Sequence, residues 1–273
     1  MRAIFAIFLL MTVPATLRAE RPLDHGIYDQ LLQQYVDSDG LVQYAALARD
    51  RDRLDAYVDT LARYSPESHP GRFPDRNCEL AYWINAYNAF VLKGVIDAYP
   101  IASVKGAFVF GGFFNRQEFV AGGRSLTLND IENDIIRPEY REPRIHFAVN
   151  CAAMSCPQLE NRAFTGPDLD FRLERALERF ARDPKYVKLG GSILYLSKIL
   201  DWYGGDFSTW FPPNRPNPKN KPPIVNYLLP YLPAETAAQL ATMAVIDLEY
   251  YDYDWSLNEK NEKGSLRHAE DSP

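Results

Sequence analysis

Residues 79–99 read ELAYWINAYNAFVLKGVIDAY, and this stretch decides the fold. It is the most apolar helix-like segment after the first twenty residues, and Pro100 closes it because proline cannot continue a helix. It has no wholly polar face, so we expect a central, buried helix. Two amides, Asn85 and Asn88, lie three residues apart on one face. An amide buried without partners costs about 1–3 kcal/mol, so each is expected either to pin a neighbouring loop or to contact a ligand.

Shorter elements are predicted on both sides of this helix. Helical periodicity runs over 25–64, with a break at Asp39-Gly40, and recurs over 169–180, 224–231 and 234–243. Strand or hairpin patterns cover 108–114, 117–126, 143–150, 186–196 and 245–253. Hairpin signals outnumber crossover units. The sequence therefore predicts an α+β fold: a central buried helix packed on a mostly antiparallel sheet, with further surrounding helices.

The domain organisation follows from the two ends of the chain. The first nineteen residues have the layout of a secretory signal: Arg2, then an apolar run, then small residues ending at Ala15 or Ala19. We therefore expect residues 1–19 to be a signal peptide. The mature chain would begin near Glu20, or otherwise near Thr16, and be periplasmic or secreted; an uncleaved N-terminal anchor is the alternative. Residues 20–255 are expected to form one domain, and 256–273 a disordered tail. Residues 212–223, with their many prolines, are expected to form a surface excursion.

Composition excludes several classes of protein. The formal net charge of −6 over 273 residues and the lack of a basic run argue against a nucleic-acid partner. The apolar fraction of 47% is ample for a core and excludes global disorder. No segment reaches the roughly 20 apolar residues that a membrane-spanning helix needs.

The candidate chemistry centres on the predicted strand 143–150. Alternation places Ile145, Phe147 and Val149 on one face and His146, Ala148 and Asn150 on the other. The second face leaves room for a group to approach the histidine, although a half-exposed edge strand would show the same pattern.

Two cysteines follow this strand, Cys151 and Cys156, and they are close enough in sequence to form a disulfide. If one is a nucleophile, we expect Cys156, because strand parity places Cys151 opposite His146 and Pro157 suits the first position of a short helix that Cys156 would cap. The third cysteine, Cys78, is expected to be incidental.

Further polar residues are candidates for binding. Thr127 and Asp130 have the spacing of a helix cap, and Glu132 follows them. The segment from Lys198 to Phe207 contains Tyr203 and Asp206 around a glycine pair that permits a sharp turn. We expect Asn85, Asn88 and His146 to line one cavity together with Glu132 or Asp206, because buried polar groups in apolar segments satisfy one another.

These residues resemble one family. The blocks WINAYNA at 83–89, LNDIE at 128–132, HFAVNC at 146–151 with Ser155-Cys156-Pro157, and Trp202-Tyr203 with Asp206-Phe207 occur in the order typical of the domain of unknown function 547 family, over about residues 75–211. The family's members look like bacterial exported proteins on one side and larger eukaryotic multidomain proteins on the other, so the resemblance assigns no activity.

Two functions are therefore predicted. One is a thiol-dependent hydrolase or acyl-transfer enzyme in which a cysteine thiol, His146 and Asn150 form the catalytic set. The other is a non-catalytic domain that binds a small molecule or peptide, with Cys151–Cys156 as a structural disulfide. A zinc site of His146, Cys151 and Cys156 lacks the usual ligand spacing and a fourth ligand, so no metal and no cofactor are expected.

Overall fold

The computed structural model describes residues 20–107, 112–210 and 221–260. Its α-helices surround the longest one, α4. They are α1 (Gly26–Tyr35), α2 (Tyr44–Arg49), α3 (Asp52–Arg63), α4 (Arg76–Ala98), α5 (Val104–Ala107), α6 (Gly112–Asn115), α7 (Arg137–Tyr140), α8 (Leu169–Arg182), α9 (Ile199–Trp202), α10 (Gly204–Thr209), α11 (Pro223–Leu228) and α12 (Ala234–Thr242). Three 3-10 helices cover Pro70–Arg72, Pro143–Phe147 and Gly166–Asp168, and a π-helix covers Asp130–Ile136.

The strands form two small sheets. They are β1 (Glu118–Ala121), β2 (Arg124–Thr127), β3 (Val187–Gly190), β4 (Ile193–Leu196) and β5 (Asp247–Tyr250). Strands β1 and β2 form an antiparallel hairpin, and β3 and β4 form another, to which β5 adds a parallel edge. The α+β class is therefore confirmed.

Helix α4 is the predicted central helix. The Asp75 carboxylate caps its start by accepting a hydrogen bond of 2.8 Å from the Cys78 amide. Residues from Leu80 to Ile96 are almost all buried, so apolar groups are needed on every face. The hairpin β1–β2 reaches this helix where the Phe119 and Phe90 rings stack with centroids 4.8 Å apart.

Two apolar clusters meet beside α4. The first contains α4, the helices before it and the start of α8, and the second contains the rest of α8, the β3–β4–β5 sheet, α10 and α11. The 3-10 segment Pro143–Phe147 joins them, since Ile145 packs into the first cluster and Phe147 into the second. His146 lies between these two residues, at the boundary of the clusters.

The predicted strand 143–150 is wrong. Pro143 occupies the first turn of the 3-10 helix, and the Glu142 side chain accepts a hydrogen bond from the Arg144 amide at 3.0 Å. The amides of Ile145 and Ala148 donate to carbonyls three residues earlier. Residues 145–150 are all buried, so the alternation of side chains did not reflect one buried and one exposed face.

The other local predictions have mixed outcomes. Thr127 and Asp130 exchange hydrogen bonds of 2.8 and 3.1 Å, as the cap predicted, but the helix that follows winds as a π-helix. Gly122-Gly123 turn the first predicted hairpin, and Gly191-Ser192 turn the second, since Gly190 is the last residue of β3. Residues 112–114 are helical rather than extended, and 108–111 lie outside the described residues.

The predicted disordered tail, 256–273, begins too early in the sequence. Leu257 and Asn258 are buried, and residues 256–260 pair with the chain near Val42 and Ala153. Residues 261–273, the predicted signal peptide at 1–19 and most of the proline-rich segment lie outside the described residues. Among the described helices, none combines the length and hydropathy needed to cross a membrane.

Candidate functional site

His146 is the centre of the candidate site. It is 2% exposed, and its Nε2 atom lies 2.8 Å from Oδ2 of Asp206. Its ring stacks on that of Tyr203 with centroids 4.0 Å apart. Its Nδ1 atom is buried and has no hydrogen-bond partner.

Asp206 is also held by a cationic side chain, Arg137. Arg137 donates from Nε and Nη2 to the two carboxylate oxygens, at 2.7 and 2.8 Å. Burial raises the pKa of Asp206, but the hydrogen bonds from His146 and Arg137 outweigh it, so the pKa lies below its ordinary value. Gly204-Gly205 begin α10, which carries Asp206 in its first turn.

The hydrogen bond between His146 and Asp206 fixes the tautomer of the His146 ring. An ionised Asp206 carboxylate can only accept hydrogen bonds, so Nε2 must carry the proton. In a neutral imidazole the remaining nitrogen, Nδ1, is then an acceptor. The site thus contains a buried acceptor for which the described residues supply no donor.

Glu132 provides a second such acceptor. It lies on the π-helix, is 7% exposed, and its buried Oε1 atom has no hydrogen-bond partner. Burial, and next the nearby Glu132 carboxylate, raises the pKa of Tyr87 and of Tyr203. Both phenols therefore stay protonated and face the Glu132 carboxylate, whose Oε1 atom still has no hydrogen-bond partner among the described residues.

Cys151 and Cys156 form a disulfide with an S–S distance of 2.06 Å. The Cys151 amide donates to Sγ of Cys156 at 2.9 Å, and the Tyr253 hydroxyl lies 3.1 Å from each sulfur. Neither basis for choosing Cys156 as nucleophile is present, because residues 143–150 are not a strand and no helix starts at Pro157. Bonded sulfurs also cannot act as thiolate ligands of zinc.

These groups line one cavity of about 340 Å³. Its wall combines polar side chains, the disulfide and a large aromatic surface. The lining residues are Tyr87, Phe114, Asn115, Asn129, Glu132, Asn133, His146, Val149, Cys151, Cys156, Pro157, Ile199, Trp202, Tyr203, Tyr253 and Trp255. Of the predicted site residues, His146, Glu132 and Tyr203 line this cavity. Asp206 is not among the lining residues but is hydrogen-bonded to His146.

The three predicted asparagines pin loops and are not among the residues that line the cavity. Asn85 exchanges two hydrogen bonds with the backbone of Phe164, at 2.8 and 2.9 Å. Asn88 donates to the Ala148 carbonyl and accepts from the Asn150 amide. The Asn150 side chain bridges Ala152 and Pro157 across the disulfide loop. The expectation that Asn85 and Asn88 line the cavity is therefore wrong, because backbone groups use both ends of each amide.

The remaining candidates lie elsewhere. Lys198 pairs with Asp201 at 2.7 Å and is not among the lining residues. Cys78 lies in a larger cleft of about 650 Å³, between the start of α4 and Gly166. Burial raises the pKa of its thiol, and the Asp75 carboxylate adds to this shift, which disfavours the reactive thiolate.

Sequence reasoning missed several residues of the site, among them Arg137, Tyr87, Tyr253 and Trp255. Arg137 follows Glu132 on the same helical segment, and Tyr87 lies between the two asparagines of α4. The spacing of Tyr253 and Trp255 near the C-terminus was a usable signal, because a Tyr-x-Trp pair in a polar stretch indicates aromatic groups that face a common surface.

Comparison with known proteins finds a match to one family model over part of the chain. Residues 72–181 match the model of the family described as "Protein of unknown function, DUF547", which confirms the resemblance. The match includes Glu132, His146 and both disulfide cysteines, whereas Tyr203, Asp206 and Tyr253 follow it in sequence. No match was found among curated proteins or among solved structures.

Proposed function

We propose that this domain binds a small molecule, without catalysis, in the cavity beside His146, and that the Cys151–Cys156 disulfide is structural. The observation that carries the proposal is the pairing of two buried, unpartnered polar atoms, on Glu132 and His146, with an aromatic wall in one cavity. Buried polar groups are normally satisfied, so orphan atoms that line a cavity indicate groups that a ligand completes.

The disulfide supports a structural role for its loop. Together with the Asn150 side chain, it ties both ends of the segment 151–156, and the Tyr186 hydroxyl donates to the Cys156 carbonyl at 2.7 Å. The loop therefore presents the disulfide to the cavity as a fixed part of the wall.

Fragment binding observed through the tryptophan indoles tests the proposal. Of the four tryptophans, Trp202 and Trp255 line the cavity, while Trp83 is buried in α4. We expect fragments to shift the indole N–H resonances of Trp202 and Trp255, assigned with Trp202→Phe and Trp255→Phe. A fragment library that shifts neither resonance would contradict a small-molecule site here.

A second candidate is the thiol-dependent hydrolase or acyl-transfer enzyme. It is favoured by the orientation of His146, whose Nε2 is held by Asp206 while Nδ1 shares a cavity with both sulfurs. A histidine oriented in this way could act as a general base once the disulfide is reduced. In such an enzyme Asp206, rather than Asn150, would orient the base.

A thiol count separates the two functions. The oxidised, purified protein should contain one free thiol, on Cys78, if it is the binding domain, and three if it is the enzyme. For the reduced protein, alkylation with a limiting amount of thiol reagent, mapped by mass spectrometry, then distinguishes the two functions. The experiment is done on the wild type and on His146→Ala. The enzyme requires one of Cys151 and Cys156 to be labelled first, at a rate that falls when His146 is lost.

We also propose that the protein is exported to the periplasm or secreted. The signal-like layout of residues 1–19 supports this, and a disulfide is typical of oxidising compartments. N-terminal sequencing of the exported protein should begin near Glu20 or Thr16, and a sequence that begins at Met1 would contradict cleavage.

A further inference from the structure

The aromatic part of the cavity forms a partly open wall. The rings of Trp202, Tyr253 and Trp255 lie with centroids 4.6–5.9 Å apart, and Phe114 adds to them at 6.4 Å from Trp255. Trp202 is 47% exposed, which is unusual for so large an apolar side chain. Aromatic faces carry negative electrostatic potential, so such a wall attracts cations as well as apolar groups.

The polar part of the cavity is negative. Glu132 contributes a carboxylate, and the described residues that line the cavity include no lysine or arginine. Arg137 is hydrogen-bonded to Asp206, and Glu132 also contributes to raising its pKa, so one guanidinium charge faces two carboxylates. Lys105 lies outside the lining, with its Nζ atom 5.3 Å from the centroid of the Trp255 ring.

The two orphan atoms both require donors. Oε1 of Glu132 accepts hydrogen bonds only, and Nδ1 of His146 accepts in the tautomer that Asp206 imposes. A ligand hydroxyl could donate to one of them. A cationic nitrogen that carries several hydrogens could donate and also neutralise the carboxylate, and such charge-assisted hydrogen bonds are the stronger ones.

We propose that the ligand is a small organic cation whose positive group carries N–H donors, such as a primary ammonium, joined to an apolar body that rests on the aromatic wall. This inference rests on the proposed binding function and names its ligand class. Glu132 and His146 receive the N–H groups, while Trp202, Tyr253 and Trp255 contact the apolar body. Quaternary ammonium groups fit less well, because they have no hydrogen to donate to the two acceptors.

Three probes of similar size test this class: benzylammonium, benzyl alcohol and benzyltrimethylammonium. Calorimetry and the indole resonances of Trp202 and Trp255 measure binding to the purified, oxidised protein. We expect benzylammonium to bind about ten- to a hundredfold more tightly than benzyl alcohol, the range that a charge-assisted hydrogen bond contributes, with the trimethyl cation in between.

Two glutamate variants complete the test. Glu132→Gln should remove the preference for benzylammonium over benzyl alcohol, because a neutral amide cannot accept a charge-assisted hydrogen bond as a carboxylate does. Glu139→Gln makes the same change at an exposed position a few residues later and should keep the preference. Thermal denaturation of both variants shows whether each is folded, and Glu132→Asp provides a second variant that keeps the charge should Glu132→Gln fail to fold.

The outcomes separate this inference from the binding function. Equal affinities for ammonium and alcohol, with shifts at Trp202 and Trp255, would overturn the cationic ligand class and leave the binding site supported. A preference that survives in Glu132→Gln would also overturn it. Absence of binding by all three probes at millimolar concentration would overturn it as well, while the fragment screen decides the binding function independently.

Discussion

His146 and Asp206 lie 60 positions apart in sequence, yet Nε2 and Oδ2 are joined by a hydrogen bond of 2.8 Å between two buried side chains. The bond links the 3-10 segment at the boundary of the two apolar clusters to α10 of the second cluster. Arg137 joins the same carboxylate from the helix that carries Glu132. One carboxylate therefore ties together the three segments that surround the polar end of the cavity.

Asp206→Asn should destabilise the protein. The amide removes the charge and turns an N–H₂ group toward donors on His146 or Arg137. Removing one partner of a buried ion pair costs about 3–5 kcal/mol, and the 27% exposure of the Arg137 side chain reduces this to about 2–3 kcal/mol. Urea denaturation measures the change in the free energy of unfolding.

Asp201→Asn is the matched control. Asp201 pairs with Lys198 at 2.7 Å, but their side chains are 41% and 36% exposed, so solvent screens the pair. Its loss should change the free energy of unfolding by less than about 0.5 kcal/mol. Equal effects of the two substitutions would show that the Asp206 network contributes no more than a surface ion pair.

The stabilisation by Asp206 should depend on pH. Its pKa is lowered in the folded protein, so its contribution is complete above the ordinary pKa of about 3.8 and is lost as the pH falls through the lower, folded value. The Arg137 guanidinium and the His146 ring are the donors that face it. The difference in unfolding free energy between wild type and Asp206→Asn should therefore shrink below about pH 4. Comparing the two proteins removes the contributions of other carboxylates whose pKa is also lowered. A difference that stays constant down to the acid limit of folding would contradict this assignment.

Asn88→Ala should destabilise the protein because two backbone groups lose their partners. The Asn88 side chain donates to the Ala148 carbonyl at 2.9 Å and accepts from the Asn150 amide at 2.8 Å, all of them buried. Each unsatisfied buried group costs about 1–3 kcal/mol, so the loss should be about 2–4 kcal/mol. Asn77→Ala, at an exposed position of the same helix, should change the stability by less than about 0.5 kcal/mol. If both variants unfold at the same urea concentration, Asn88 does not hold the loop.

Some of this architecture could be predicted from the sequence for physical reasons. An apolar segment of about twenty residues that ends at a proline has few alternatives to a buried helix, and glycine pairs between strand patterns specify hairpins. Residues 143–150 could not be assigned in the same way. All of residues 145–150 are buried, and what decides their conformation is Pro143, the Glu142 cap and the distant Asn88.

The site was predictable only as a set of unusual residues. His146, Glu132, Tyr203 and Asp206 are polar groups in apolar or aromatic company, which a sequence reveals. Which of them meet depends on packing between segments far apart in the chain, as the pairing of Asp206 with Arg137 shows. The two asparagines of α4 carried the same signal but serve backbone groups instead of a cavity.

The segment 256–260 should contribute to stability through Asn258. Its side chain accepts a hydrogen bond of 2.8 Å from the hydroxyl of Tyr44, a residue with no exposed surface, and donates to the Gly40 carbonyl at 3.2 Å. Asn258→Ala leaves both groups without a partner and should cost about 1–3 kcal/mol. Tyr44→Phe removes the hydroxyl, so adding it to Asn258→Ala should cost less than adding it to the wild type, with a coupling of about 1 kcal/mol. Urea denaturation of the four proteins of this cycle measures the coupling. Effects that simply add, with each single change below about 0.5 kcal/mol, would mean that residues 256–260 are not docked on the domain.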